Sequence, residues 1–340
     1  MTVNIFYQPV PKKDHWLPLD RHLNKLYRFA RRGRGHSGPA QACWNLCAGL
    51  SQLGVPYRLN DFAYAQQHPE EAACVIGGYN VLNEMAWRNE IIFGPGVVKY
   101  PVDMPDLLER FPIRKVVVYS EWQKQLYESA WGGRLVVWPV GIDTDKWSPA
   151  PQGRKDIDLL IYEKLDTHWL FYDDAGAANS ERRFLVDTLL KPLRRYTEQR
   201  GLKTARVRYG FYWENTYRHL LRRSKAMVFL SKSETQGLAY LEALACGVPV
   251  IAWDVGKLWR ERPRDTRLGT RRVRSTSVPY WDERCGVKFK SAEEFAARFD
   301  SFFEQVNACR FQPRDYVTER LTLKQQAASY LALCRDDYPA

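Results

Sequence analysis

The chain has 340 residues, enough for two domains of ordinary size, because a single core seldom grows beyond about 250 residues. With 45% hydrophobic and 26% charged residues the composition is that of a folded globular protein, and the absence of any run of about 18 apolar residues excludes a hydrophobic helical membrane span. The net charge of +12 asks for an anionic partner without choosing among nucleic acid, an acidic membrane surface and an anionic substrate.

From the amino terminus, residues 3–7 read as a buried strand. The opening MTVNIFYQPVPKK has too short an apolar run and too early a proline, Pro9, for a secretory signal, so a cytoplasmic location is expected. Residues 19–32 predict a helix with Leu23, Leu26 and Phe29 on one side; Lys12, Lys13, Arg21, Lys25, Arg28, Arg31, Arg32 and Arg34 face only Asp14 and Asp20 in this region. After Gly33, Gly35 and Gly38 comes a second helix over 40–53, stopped by Gly54 with Pro56 beyond. Short buried strands follow at 55–59, 74–76, 91–93, 116–119 and 135–138. The strand at 74–76 leads into Gly77, Gly78, Tyr79 and Asn80, and Ser120-Glu121 predicts the cap of a helix after the strand at 116–119. Pro149, Pro151 and Gly153 punctuate the chain and place a domain boundary near Ala150.

The second half starts with a strand at 157–162 that ends in Glu163-Lys164. A long helix is predicted over 182–200, kinked or split by Pro192, then a strand at 205–209 whose loop carries Phe211, Tyr212 and Trp213. The strand at 227–230 delivers the most informative stretch, SKSETQGLAYLEALACGVPVIAWDVG, residues 231–256. Its Leu238, Leu241, Leu244 and Ala245 recur at helical spacing, Gly247 and Pro249 stop that helix near Cys246, and residues 250–253 form another strand. The amides of Leu238 and Ala239 open the helix just after Gly237 and make an anion site suited to a diphosphate. Residues 257–274 are densely basic, 287–289 read as a last strand, and Ser291 with Glu294 spells a capping box for a helix to about 308. A helix over 323–334 closes the chain. Seven cysteines, none paired at metal-ligand spacing, are expected as free thiols, with Cys43 and Cys47 as core filler. Alternating strands and helices throughout argue an α/β protein with parallel sheets.

Two glutamates, Glu234 and Glu242, separated by seven residues around Gly237 and followed by G-V-P-V, resemble the signature of retaining, nucleotide-sugar-dependent glycosyltransferases with the GT-B fold. The phrase W-P-V-G-I-D-T-D-K-W, residues 138–147, resembles the interdomain segment of these enzymes. The resemblance implies two Rossmann-like doubly wound domains facing across a cleft, with an acceptor-binding domain at 1–150 and a nucleotide-sugar-binding domain at 151–312. A helical segment at 313–340 would then return to the first domain. It further implies that Glu234 faces the donor sugar, that Glu242 binds the ribose diol, and that the amides around Gly237, Leu238 and Ala239 hold the diphosphate. Lys164 stands where the family places a basic residue against the diphosphate, and Gly38, Gln236 and Tyr212 are grouped with the donor-binding residues, Tyr212 near the nucleobase. Many members carry an acceptor-side histidine after a central strand of the first domain; here Tyr79 and Asn80 occupy that place.

The expected partners are therefore a nucleotide-diphosphate sugar and a saccharide or lipid-linked acceptor, in cell-surface glycan biosynthesis, with the basic segment at an anionic inner membrane face. No cofactor or metal is expected: Asp143-Thr144-Asp145 spells Asp-x-Asp but falls in the interdomain phrase. The rivals are a GT-B-fold nucleotide-sugar epimerase or hydrolase, and a nucleic-acid-binding protein, for which no helix-turn-helix, finger or RNP motif is recognisable.

Overall fold

A computed structural model describes residues 2–9, 38–96, 101, 104–150, 155–165, 175–258 and 273–335. The helix expected over 19–32, the basic segment around it and most of 257–274 lie outside the described residues. In the first half β1 (Val3–Phe6), α1 (Gly38–Gln52), β2 (Tyr57–Leu59), α2 (Phe62–Gln67), β3 (Ala73–Val75), β4 (Ile91–Phe93), α3 (Leu107–Arg110), β5 (Ile113–Val118), α4 (Glu121–Trp131) and β6 (Leu135–Val137) follow one another. The second half opens with β7 (Ile157–Lys164), α5 (Ala175–Leu185), a π turn (Val186–Leu190), α6 (Lys191–Gln199), β8 (Thr204–Arg208) and α7 (Glu214–Arg223). It continues with β9 (Ser224–Ser231), α8 (Leu238–Ala245), β10 (Val250–Trp253), β11 (Gly286–Phe289) and α9 (Ala292–Asn307), and closes with α10 (Pro313–Arg320) and α11 (Leu323–Arg335).

The strands form two sheets, ordered β2-β1-β3-β4-β5-β6 and β11-β10-β9-β7-β8, and every pairing is parallel. The sequence explains why: Val3–Phe6, Ile91–Phe93 and Val250–Trp253 are apolar or buried at every position, so they need cover on both faces, which crossover helices supply. Strand order reverses between β1 and β3 in the first sheet and between β7 and β9 in the second. Ligands of doubly wound sheets bind outside the strand carboxyl ends at such points, so Tyr7 and Gly77 mark one candidate place and Lys164 and Ser231 the other.

One face of the first sheet is covered by α1 and α11, whose side chains share a core with Ile5, Ile92, Trp138 and Val140. Gly49 lets these helices cross closely, since a Cβ there would come within 2.7 Å of the Ala327 Cβ. The two halves are also tied through their backbones. Arg314 Nη1 donates to Ala245 O at 2.6 Å and Trp147 O at 3.1 Å, and its Nη2 to Thr144 O at 3.1 Å.

Three local expectations change. Helix begins at Ala175, ahead of the expected residue 182, and the interruption is the π turn that ends just before Lys191-Pro192. Proline has no amide to bond Thr188, so the turn in front of it widens. Strand β5 starts at Ile113, because Ile113 is buried beside Ile91 although Arg114 and Lys115 break the apolar run. Ser120 does occupy the N-cap of α4, but its hydroxyl makes no capping bond; the Gln123 side chain instead accepts from Tyr119 N at 2.9 Å.

Candidate active site

At the carboxyl end of the second sheet, Lys164 of β7 and Ser231 of β9 stand side by side in register. Both turn toward the same carboxylate. Lys164 Nζ donates to Glu234 Oε1 at 2.7 Å and Oε2 at 2.8 Å, and Ser231 Oγ donates to Oε1 at 2.8 Å. The Glu234 backbone is pinned at both ends, its amide donating to Thr276 O at 2.9 Å and its carbonyl accepting from Trp122 Nε1 of the first half at 2.9 Å. The Tyr209 ring lies 4.6 Å from the ammonium. With side chains only 20% and 11% exposed, Lys164 and Glu234 interact in a medium of lower dielectric than water, yet both remain reachable from the cleft.

Three residues on, the chain turns through Gly237 at φ 77° and ψ 45°, a left-handed conformation that costs side-chain-bearing residues about 1–2 kcal/mol. A Cβ there would also come within 2.7 Å of the Tyr240 Cδ1. Tyr240 is fully buried and cannot easily yield, because its Oη accepts from Tyr280 N at 2.9 Å and donates to Tyr280 O at 3.1 Å. This turn starts α8, whose first amides have no partner within the helix and face the end of the sheet. Leu238 packs against the cores of both halves, and Ala239 O accepts from Tyr217 Oη at 2.7 Å, which fixes the helix start.

Glu242, one turn further, borders a cavity of about 170 Å³ between α8, α1 and the interdomain segment. Gln41, Trp44, Asn45 and Ala48 of α1 and Ile142, Asp143, Lys146 and Trp147 complete the lining. A whole small-molecule site typically has about 300–1,000 Å³, so this space takes a ring and not a full nucleotide sugar. Lys146 is engaged at 2.6 Å by Glu214, and Asp143 Oδ1 accepts from Lys146 N at 2.9 Å. The first aspartate of the Asp-x-Asp triplet thus caps its own turn.

Several expected site residues sit elsewhere. Gln236 is buried and spans to the first half, its Oε1 accepting from Val140 N at 3.0 Å and its Nε2 donating to Val140 O at 3.3 Å, so its amide is a clasp between the halves. Tyr212 points into the core, with its hydroxyl 3.1 Å from that of Tyr162; its chain neighbours Phe211 and Trp213 are the exposed rings, at 46% and 47%. Gly38 begins α1 in open space, where a Cβ would meet nothing. Tyr79 is partly buried against a core of the first half, and Asn80 keeps its Oδ1 buried without a hydrogen-bond partner among the described residues.

The sequence also hid a charged group. Glu163, fully buried, accepts from Arg206 Nε at 2.9 Å and from Arg206 Nη2, and from Arg182 Nη2 at 3.3 Å. These two guanidiniums come from different elements, and only Glu163 standing next to Lys164 at a strand end gave a hint of it. Trp122 had no sequence signal at all.

Residues 186–260, from the π turn past β10, match the family model described as glycosyl transferases group 1. The chain is a glycosyltransferase. The matched segment contains Ser231, Glu234, Gly237 and Glu242, so the family assignment and the site geometry fall on the same residues. The fold of this glycosyltransferase resembles that of sucrose-phosphate synthase from Thermosynechococcus elongatus, at 14% identity, covering 99% of this chain and 98% of that one with a TM-score of 0.56. AviGT4, a glycosyltransferase involved in avilamycin A biosynthesis, aligns at 12% identity over 98% and 97% of the two chains with a TM-score of 0.55. Anabaena Alr3699/HepE, solved in complex with UDP and glucose, aligns at 12% identity over 98% and 99% with a TM-score of 0.53. A comparison with curated protein sequences finds no match. The two parallel, doubly wound sheets are thus the GT-B fold.

Proposed function

We propose that this glycosyltransferase moves a sugar, with retention of anomeric configuration, from a nucleotide-diphosphate sugar to a saccharide or lipid-linked acceptor, without a metal. The observation that carries the reading is the Lys164–Glu234 pair, at 2.7 and 2.8 Å, beside the open start of α8. A diphosphate at the amides of Leu238 and Ala239 competes with Glu234 for the Lys164 ammonium. The released carboxylate, still held by Ser231, then accepts from hydroxyls of the donor sugar. As the bond between the sugar and the diphosphate breaks, the charge gathering on the phosphate oxygen meets fixed amide dipoles and Lys164 at little reorganisation cost. Glu242, in its ring-sized cavity, accepts from the ribose diol. The complex of HepE with UDP and glucose supports a uridine donor as the first to test.

The matching experiment is proton NMR of the product anomer with a donor found by screening, alongside Lys164→Gln and Glu234→Gln. Retained configuration and a roughly 100- to 1,000-fold lower rate in each variant are expected. An inverted product, or full activity of Glu234→Gln, refutes the assignment; sugar released to water at the same rate with or without acceptor favours a hydrolase.

A further inference from the structure

At the carboxyl end of the first sheet, three buried side-chain oxygens have no hydrogen-bond partner among the described residues: Asn80 Oδ1 after β3, and Tyr119 Oη and Ser120 Oγ after β5. Tyr119 and Ser120 are only 7% and 2% exposed. Buried polar atoms are almost always paired, so a group of orphans at one sheet end calls for a partner from outside the chain. Ser120 sharpens this, since it holds the N-cap position of α4, at φ −156° and ψ 161°, and still makes no capping bond. A serine there ordinarily satisfies a helix amide.

The place is tightly built. A Cβ on Gly96 would come within 2.9 Å of both Tyr119 Oη and the Pro39 Cγ, and one on Gly77 within 2.7 Å of the Pro39 Cβ and 3.4 Å of the Tyr7 ring. Tyr119 Oη therefore borders the start of α1, a helix of 15 residues. The same turn also reaches the donor side. Tyr119 O accepts from Tyr280 Oη, and Trp122 Nε1 donates to Glu234 O. Burial, with Tyr7 nearby, pushes the Tyr119 phenol above its ordinary range, so its proton stays on and Oη can both donate and accept.

We propose that Tyr119 and Ser120 are acceptor-binding residues, whose hydroxyls pair with hydroxyl groups of a saccharide placed against Glu234. This rests on the donor reading given above for Glu234 and Lys164. Phenol and serine hydroxyls match a polyol, which offers donors and acceptors at every carbon, and no charged group of the acceptor is needed. The pair does the positioning that the absent acceptor-side histidine would otherwise do.

The test is a pair of variants, Tyr119→Phe and Ser120→Ala, each removing one oxygen. UDP, GDP, ADP and CDP are titrated first by calorimetry. Glucose, galactose, mannose and N-acetylglucosamine are then titrated at saturating nucleotide and followed by saturation-transfer NMR. At least one hexose should bind the wild type, each variant should bind it roughly tenfold or more weakly, and nucleotide affinity should be unchanged. Melting temperatures should stay level or rise, because an oxygen with no partner in the free protein is removed. A fall in melting temperature in both variants, unaltered hexose binding, or a wild type that binds none of the hexoses overturns the proposal. Failure of all four nucleotides counts against the donor reading instead; the hexose titration is then run without nucleotide and judged by the same outcomes.

Discussion

Replacing Gly237 by alanine tests how the site is held, because two independent costs meet at that residue. The left-handed φ of 77° costs an alanine about 1–2 kcal/mol. The added Cβ also lies 2.7 Å from Tyr240 Cδ1, so the ring must move, and it can do so only by giving up the two hydrogen bonds between its hydroxyl and Tyr280, each contributing about 1 kcal/mol. The sum is about 3–4 kcal/mol. Gly54 is the control, with φ 68° and nothing within 4 Å of its Cβ, so Gly54→Ala should show the backbone cost alone. Urea unfolding followed by circular dichroism gives both values. Gly237→Ala should also weaken nucleoside diphosphate binding, since the displaced Tyr240 tilts the first amides of α8. Equal destabilisation by the two alanines would refute the packing argument, and unchanged nucleotide affinity would detach Gly237 from the site.

Activity should survive EDTA, since Asp143 is committed to capping its own turn and the leaving charge is assigned to amides and Lys164; complete loss restored by manganese or magnesium contradicts this. Arg223 holds the Asp156 carboxyl at about 2 against an ordinary 3.8, so its contribution to stability is present above the ordinary value and disappears as pH falls from 3.8 toward 2. Asp156→Asn should therefore flatten the acid loss of stability in that window and leave the slope above about pH 5 unaltered, as read by urea midpoints across pH. Lys/Arg-to-Gln changes across 21–34 should reduce sedimentation with anionic liposomes while leaving donor affinity intact, each such charge contributing roughly 1 kcal/mol at the surface. Equal sedimentation with neutral and anionic vesicles refutes that membrane role. Among the described residues, no helix is long and apolar enough to cross a membrane.

Much of the fold was legible because parallel strands leave an unusually plain trace. Ile91–Phe93 and Val250–Trp253 are short apolar runs that abut a glycine or a proline, Met227 to Leu230 is an apolar run ended by Ser231, Val3–Phe6 is apolar but for Asn4, and all became strands of the two sheets. Helix α8 was legible for the same reason, with Gly237 and Gly247 framing an apolar period. Short amphipathic pieces such as α2 and α7 were not, because a turn or two of helix fixed by tertiary packing carries little periodicity of its own. The placement of Lys164 and Glu234 beside strand ends of one sheet followed from the sequence, without Ser231 as the third partner of their pair. The destination of a side chain did not: Tyr212 and Phe211 are neighbours of similar character, and only the core decides which ring turns inward. Gln236 likewise reads as a site residue until the Val140 backbone comes within reach. The orphan hydroxyls of Tyr119 and Ser120 could not be read at all, since an unmade hydrogen bond has no sequence pattern.

The central claim, that the cleft binds a nucleotide-sugar donor through α8, is tested most directly by calorimetric titration of UDP, GDP, ADP and CDP into the wild type and Glu242→Gln. Binding of at least one nucleotide is expected, with an affinity lower by about 1–3 kcal/mol, roughly 5- to 150-fold, when the Glu242 carboxylate becomes an amide that accepts less strongly from the ribose diol. No heat of binding with any of the four, or the same affinity in the variant, would contradict it.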